Sequence, residues 1–377
     1  MSKTSTVTAT RQDPDRGPEE VIFVRGYRAL RTALNDWRSF SSDTLGFNVL
    51  SPQDKTRSFK QYPFELDPPE HGALRAVVEP FFKRPLEPGY AEKLQAHVSS
   101  AVTALLATPE VEVTEEFSFP LQSRALTVLL DMPVEEADIW LGWGIHVFGA
   151  PATTFTPDLA KADVLVDYVE SRTDAAETLP PGSLFAVLAR ARVNGERPLT
   201  RDERLGFAHI AFSGGRDTVI NMITGILALF AQRPDVKEAI AADPALVNPA
   251  TEELIRLISP LRVLTRTCPH GGEIDGLPVA PGQRLAMCYG NASHDPAVFP
   301  DPETFVLNRK PNPHLAFGAG PHTCLGNAHA RLISRQLMLE LATRVQRIEV
   351  LEAEPEDESA LFAVEGLRFK KLVVRAV

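Results

Sequence analysis

The sequence predicts a mainly α-helical fold with a smaller β portion. Apolar residues recur at helical spacing over most of residues 90–258. After residue 260 the pattern changes to short strand-like runs punctuated by glycine and proline turns. With 377 residues and 44% apolar content, the chain can bury a large core.

The elements follow in order. Residues 1–20 are polar and are expected to be disordered, and residues 21–377 to form a single domain. "VIFVRGYRALRTALND" from Val21 reads as a short strand and a helix. Residues 45–66 lack a sustained period and read as a long, partly buried loop. In "DPPEHGALRAVVEPFF", Asp67 can cap a helix, Pro68 suits its first position, and Glu70 completes a capping-box spacing. Further helices are expected at about 90–108, 120–131, 136–148, 158–173, 183–193, 201–231, 235–243 and 249–258. "LRVLTRTC", "EIDGLPV" and "QRLAMCY" read as strands, 294–313 as irregular chain, and the tail from Ser359 as a hairpin.

Acidic residues outnumber basic ones, 49 to 39, giving a formal charge of −10. That balance disfavours nucleic acid and anionic membranes as partners. No apolar run approaches the roughly 20 residues of a membrane span. The three cysteines are widely spaced and odd in number, so a disulfide framework is not expected and a cytoplasmic setting is.

One stretch concentrates chemistry. In "HLAFGAGPHTCLG", Cys324 lies among Gly318, Gly320 and Gly326, directly before a helix that begins near Asn327. Glycines permit positive φ and close approach by a flat ligand. A helix N-terminus favours a thiolate, one of the few axial ligands that proteins give to haem iron. Two other readings are a buried structural cysteine and a zinc site from Cys268, His270, His322 and Cys324, whose one-residue spacings are tight for zinc.

"FGAGPHTCLG" resembles the F-G-x-G-x-H-x-C-x-G haem-binding signature of the cytochrome P450 family at every fixed position, including Phe317. The resemblance runs over roughly residues 21–377 and implies the cytochrome P450 fold, with a long central helix over the haem and the cysteine loop on the proximal side. "GGRDT" resembles the family's A/G-G-x-D/E-T, implying that Asp217 and Thr218 deliver protons where Gly214 makes room for dioxygen. His71 and Arg75 match H-x-x-x-R, and with Arg266 and His322 would meet the haem propionates. "EELIR" matches E-x-x-R through Glu253 and Arg256, a structural pair whose usual third partner falls at Thr304. The short segment before "FSSD" implies a reduced first helix and first sheet.

The resemblance further implies haem b with an axial thiolate from Cys324, and a monooxygenase that hydroxylates or dealkylates a small to medium hydrophobic substrate. No flavin, nicotinamide or iron–sulfur fingerprint is present, so electrons would come from a ferredoxin-type donor, docked on the proximal face at Arg75, Lys83 and Arg84. The pocket would draw on Phe59, Ile210, Ser213, Gly214, Phe362 and Ala363. Arg262 would either face outward or pair with a substrate carboxylate. A peroxide-driven peroxygenase and a non-enzymatic haem sensor are the alternatives on the same fold.

Overall fold

The computed structural model describes residues 6–13, 17–43, 58–144, 159–356 and 367–377. Helices α1 (Tyr27–Asn35), α2 (Glu70–Phe82), α3 (Tyr90–Ala107), α4 (Phe119–Leu130), α5 (Glu136–Leu141), α6 (Leu159–Asp174) and α7 (Leu184–Arg190) form the first half. The second half carries α8 (Arg201–Gly215), α9 (Asp217–Gln232), α10 (Pro234–Ala242), α11 (Val247–Ile258), α12 (Tyr289–Ser293) and α13 (Asn327–Arg344).

Strands β1 (Thr6–Asp13) and β2 (Gly17–Val24) pair antiparallel, with Thr6 opposite Val24. This corrects the expectation of disorder for residues 6–13 and 17–20: "TVTATRQD" alternates and is rich in β-branched residues, and β2 offers it a paired edge. The sheet continues through β9 (Gln283–Cys288), parallel to β2, to β6 (Val263–Cys268). The first helix and first sheet are thus both present.

Short hairpins join β4 (Arg192–Val193) to β5 (Arg197–Pro198) and β7 (Gly272–Ile274) to β8 (Leu277–Val279). The tail strand β11 (Phe369–Ala376) pairs with β10 (Ile348–Pro355) and with β3 (Val111–Glu112). The hairpin expected within the tail therefore reaches further back, because "IEVLEAEP" supplies the matching partner.

Several helix boundaries differ from expectation, among them the end of α7 at Arg190, before β4, and two with a visible cause. Helix α2 begins at Glu70 with no side-chain cap. Consecutive prolines at 68 and 69 push the residues before them out of the α region. Asp67 instead accepts from Ser41 Oγ and from the Ser42 N–H at 2.9 Å. The long helix expected at 201–231 is two helices, broken at Arg216, whose φ −100°, ψ −84° is not helical.

Helix α9 is buried along its apolar length and packs against α11 and α13 through Ile223, Ile226, Leu227, Leu254, Leu337 and Leu341. Each such side chain removed from water contributes about 1.5–3 kcal/mol. Gly225 sets the α9–α11 approach: a Cβ there would lie 2.1 Å from Ile258 Cδ1. This packed slab fixes α13, and with it the cysteine loop at its N-terminus.

Candidate active site

The loop before α13 is shaped by backbone constraints. Gly318 and Gly320 adopt φ of +72° and +70°, as the glycine pattern predicted. A Cβ on Gly320 would also lie 2.8 Å from the Leu34 carbonyl, so this residue lets the loop sit against α1. The Cys324 N–H donates to the Phe317 carbonyl at 2.9 Å, closing the turn.

At Cys324 Sγ the backbone N–H groups of Gly326 and Asn327 converge, with Arg75 and Arg331 as nearby charges. Burial nevertheless outweighs these donors and pushes the thiol above its ordinary pKa. Positive charge on a bound metal would act in the opposite direction and favour the thiolate.

Beside the sulfur lies a basic cluster. His71 and His322 stack with ring centroids 4.1 Å apart, and Arg75 and Arg266 act on both. Burial, reinforced by the two arginines, depresses His71 to about 4. Burial, Arg266, His71 and Arg75 together depress His322 to about 2. His322 Nε2 is buried with no hydrogen-bond partner among the described residues, while Arg266 Nη1 donates to the Phe40 carbonyl at 3.2 Å. Asp67, the nearby acid, is committed to Ser41 and Ser42. Three basic side chains gathered around the unsatisfied His322 nitrogen fit a ligand with acidic groups.

At the break between α8 and α9, Thr218 Oγ1 donates to the Gly214 carbonyl at 2.7 Å, and Gln122 Nε2 donates to the Gly215 carbonyl at 2.9 Å. Arg216 leaves the helix path to lie over the Phe119 ring at 4.6 Å and to donate to the Gly144 carbonyl. Burial lowers its pKa to about 10. Asp217 opens α9. A Cβ on Gly214 would meet nothing within 4 Å, so open space faces this residue.

Of the expected pocket residues, Phe59 and Ser213 come together through His209. Phe59 packs edge-on to the His209 ring at 5.7 Å. Gln61 Nε2 contacts His209 Nδ1 at 2.8 Å and donates to Ser213 Oγ at 3.2 Å. Ile210 is half-buried and supplies the carbonyl that accepts from Ser213 Oγ at 3.3 Å. Phe362 and Ala363 lie outside the described residues. Arg262 is 3% exposed and lies against Gly290, close enough to act on His294, which corrects the outward-facing reading. Arg75 is half-buried beside Cys324, Lys83 is exposed and pairs with Glu79 at 3.3 Å, and Arg84 pairs with Asp131 at 3.5 Å.

The Glu253–Arg256 pair is fully buried, with hydrogen bonds of 2.8 and 2.9 Å. Its third partner is Arg309, whose Nε donates to both Glu253 oxygens at 2.9 and 3.1 Å. Thr304, which the sequence spacing offered, contributes its backbone carbonyl to both arginines. Arg309, Gln61, His209 and Arg331 were missed. Only Arg331 left a usable signal, its four-residue spacing from Asn327 on α13.

The family model "Cytochrome P450" matches residues 160–365. The chain belongs to the cytochrome P450 family. It is 30% identical over 339 residues to the cytochrome P450 monooxygenase PikC of Streptomyces venezuelae, covering 87% of this chain and 79% of that protein. It is 30% identical to the 20-oxo-5-O-mycaminosyltylactone 23-monooxygenase of Streptomyces fradiae, covering 85% and 74%. A solved structure described as that of a carbohydrate active P450 superposes with TM-score 0.89 at 34% identity, covering 98% of this chain and 95% of that one.

This P450 is accordingly an oxidoreductase of the monooxygenase type, with a haem-thiolate cofactor and an external source of electrons. Its mainly helical architecture with smaller sheets is the P450 fold. Among the described residues, no helix is long and apolar enough to cross a membrane.

Proposed function

We propose that this P450 uses haem b with Cys324 as axial ligand and receives electrons from a ferredoxin-type donor to oxidise a small or medium-sized organic substrate. The observation that carries the reading is the placing of one thiol, with two N–H groups aimed at it, next to His71, Arg75, Arg266 and His322. A thiol, two guanidinium groups and two imidazoles that can donate hydrogen bonds suit a flat ligand bearing a metal and two carboxylates.

The haem, when bound, supplies activation of dioxygen at its iron. Cys324, once deprotonated, would hold the iron through its sulfur. Arg266, pinned by Phe40, and His322 would hold the carboxylates together with His71 and Arg75. Phe317 packs under the Arg331 guanidinium at 4.4 Å and accepts from the Cys324 N–H, fixing the loop's two arms. The open space at Gly214 would give dioxygen room. Thr218 holds a proton at Oγ1 that its present bond gives to the Gly214 carbonyl and that rotation re-aims into this space. Asp217 resupplies it. The retained acid–threonine pair favours dioxygen over peroxide as oxidant, and turnover with ferredoxin, reductase and NAD(P)H against peroxide alone tests this.

Lys83, 64% exposed, supports docking of an acidic donor. A cytoplasmic setting belongs to the same proposal. Phe59 and Ile210 favour a hydrophobic substrate. A second reading has a specific basis: Gln61, His209 and Ser213 form a polar chain beside them, and the carbohydrate active P450 shares 34% of its residues with this chain. A sugar derivative then becomes a candidate for hydroxylation or O-dealkylation. Screening hydrophobic compounds and sugar ethers by spin-state shift decides. A shift with sugar ethers that is lost in Gln61→Leu supports the second reading; a response to apolar compounds alone removes it.

A further inference from the structure

Behind the cysteine loop, Arg331 makes a set of contacts beyond those of a surface ion pair. Its Nε and Nη2 donate to the two Glu252 oxygens at 2.7 and 3.0 Å, and its Nη1 donates to Asn327 Oδ1 at 3.0 Å. The plane of the guanidinium lies over the Phe317 ring at 4.4 Å. Asn327 Nδ2 in turn donates to the Cys324 carbonyl, and the Phe317 carbonyl accepts from the Cys324 N–H. One arginine therefore grips both chain segments that hold the cysteine.

Glu252 keeps that arginine in place. Its carboxylate also meets His314 Nε2 at 3.2 Å, from the start of the same loop, and Arg335 Nη2 at 3.8 Å. Burial works to raise the Glu252 pKa, but the His314 and Arg331 hydrogen bonds win and hold it at about 2. The side chains of Glu252 and Arg331 are each 28% exposed, so solvent screens the pair only in part. Arg331 is also one of the charges acting on Cys324.

We propose that Arg331, clamped by Glu252, is a positioning residue that fixes the cysteine loop and supplies a constant positive charge to the axial sulfur. The proposal rests on Cys324 being the axial ligand. A fixed cation near the sulfur favours the more negative, reduced state of the site, so it raises the one-electron reduction potential. A fork bonded on three sides does this better than a flexible ammonium, because its charge stays at one place.

The test uses holoprotein carrying Arg331→Met, Arg331→Lys or Glu252→Gln. It reads the reduction potential by dye-coupled titration and the fraction of the reduced carbon monoxide complex with the red-shifted Soret band. Arg331→Met should make reduction about tenfold less favourable, about 59 mV for one electron. Arg331→Lys should keep most of the potential but enlarge the unshifted fraction, because the grip on Phe317 and Asn327 is lost. Glu252→Gln, which removes a negative charge, should move the potential upward.

Should Arg331→Met fail to take up haem, the other two variants decide. Wild-type potential and wild-type band fraction in both would overturn the proposal and leave Arg331 an ordinary ion pair. The wild-type spectrum separates the two levels of the argument. An unshifted band in the unmodified protein contradicts Cys324 ligation itself, whereas a shifted band with unresponsive variants contradicts the clamp alone.

Discussion

Thr218 bridges the break in the helix that it borders, its hydroxyl donating to the Gly214 carbonyl 2.7 Å away. Gly214 and Gly215 end α8, and Arg216 leaves the helical conformation and turns aside onto Phe119. The opening is held by side chains, Thr218 on one side and Gln122 on the other, so it is a built feature of the fold. Its proton sits beside the open space at Gly214.

Replacing Thr218 by Ala leaves the Gly214 carbonyl without this donor and removes the proton. Product formed per NAD(P)H consumed should fall by at least about tenfold, with the electrons appearing as peroxide. Thr218→Ser keeps the hydroxyl and should keep most of the coupling. Equal coupling in Ala and Ser variants would show that the hydroxyl plays no part in proton delivery.

The three-membered buried network makes a stability prediction. Arg256→Met leaves the Glu253 charge buried with Arg309 as its remaining ionic partner and should cost about 3–5 kcal/mol. Arg309→Met keeps the two 2.8–2.9 Å bonds from Arg256 and should cost less, about 1–3 kcal/mol. Urea unfolding of the two variants gives the order directly; a costlier Arg309 change would mean that Arg309 is the principal partner.

Two glycines respond oppositely to the same change. Gly320→Ala meets both φ +70° and the Leu34 carbonyl at 2.8 Å, so it should distort the loop and lower haem retention. Gly214→Ala meets no neighbour within 4 Å and replaces a poor helix former, so it should stabilise by up to about 1 kcal/mol. It also intrudes on the open space and should weaken the binding of bulky axial ligands. Comparable losses of haem in both variants would refute the assignment of Gly320 as the loop's steric contact.

How much of this was legible depended on the reach of each signal. The long amphipathic helices and the cysteine loop were readable because their patterns are local. Arg309 was not: it approaches Glu253 along an irregular segment, 56 residues away, where no period constrains which side chain turns inward. The split at Arg216 escaped because an apolar run on both sides reads as one helix. The strand at Thr6–Asp13 escaped because its partner edge is supplied by the fold. Asp67 looked like a cap until Ser41 and Ser42, 25–26 residues earlier, claimed its carboxylate.

His294 and His329 make a pH prediction. Both are 4% exposed, and burial depresses each to about 4 from the ordinary 6.5. The unfolded chain then takes up these protons first as pH falls. Their contribution is complete above about 6.5 and is lost progressively as pH falls toward about 4. Between pH 7 and 5 each should remove on the order of 2 kcal/mol of stability. Denaturant unfolding across that range checks the slope, and His329→Asn should make it shallower. An unchanged slope would mean that His329 titrates alike folded and unfolded.

The measurement that tests the central claim most directly is the absorption spectrum of the dithionite-reduced protein under carbon monoxide, wild type beside Cys324→Ser. The account predicts a strongly red-shifted Soret band in the wild type, the mark of thiolate ligation, and its loss in the variant. A band at the unshifted position in the wild type, or a red-shifted band that survives in Cys324→Ser, would contradict Cys324 as the axial ligand.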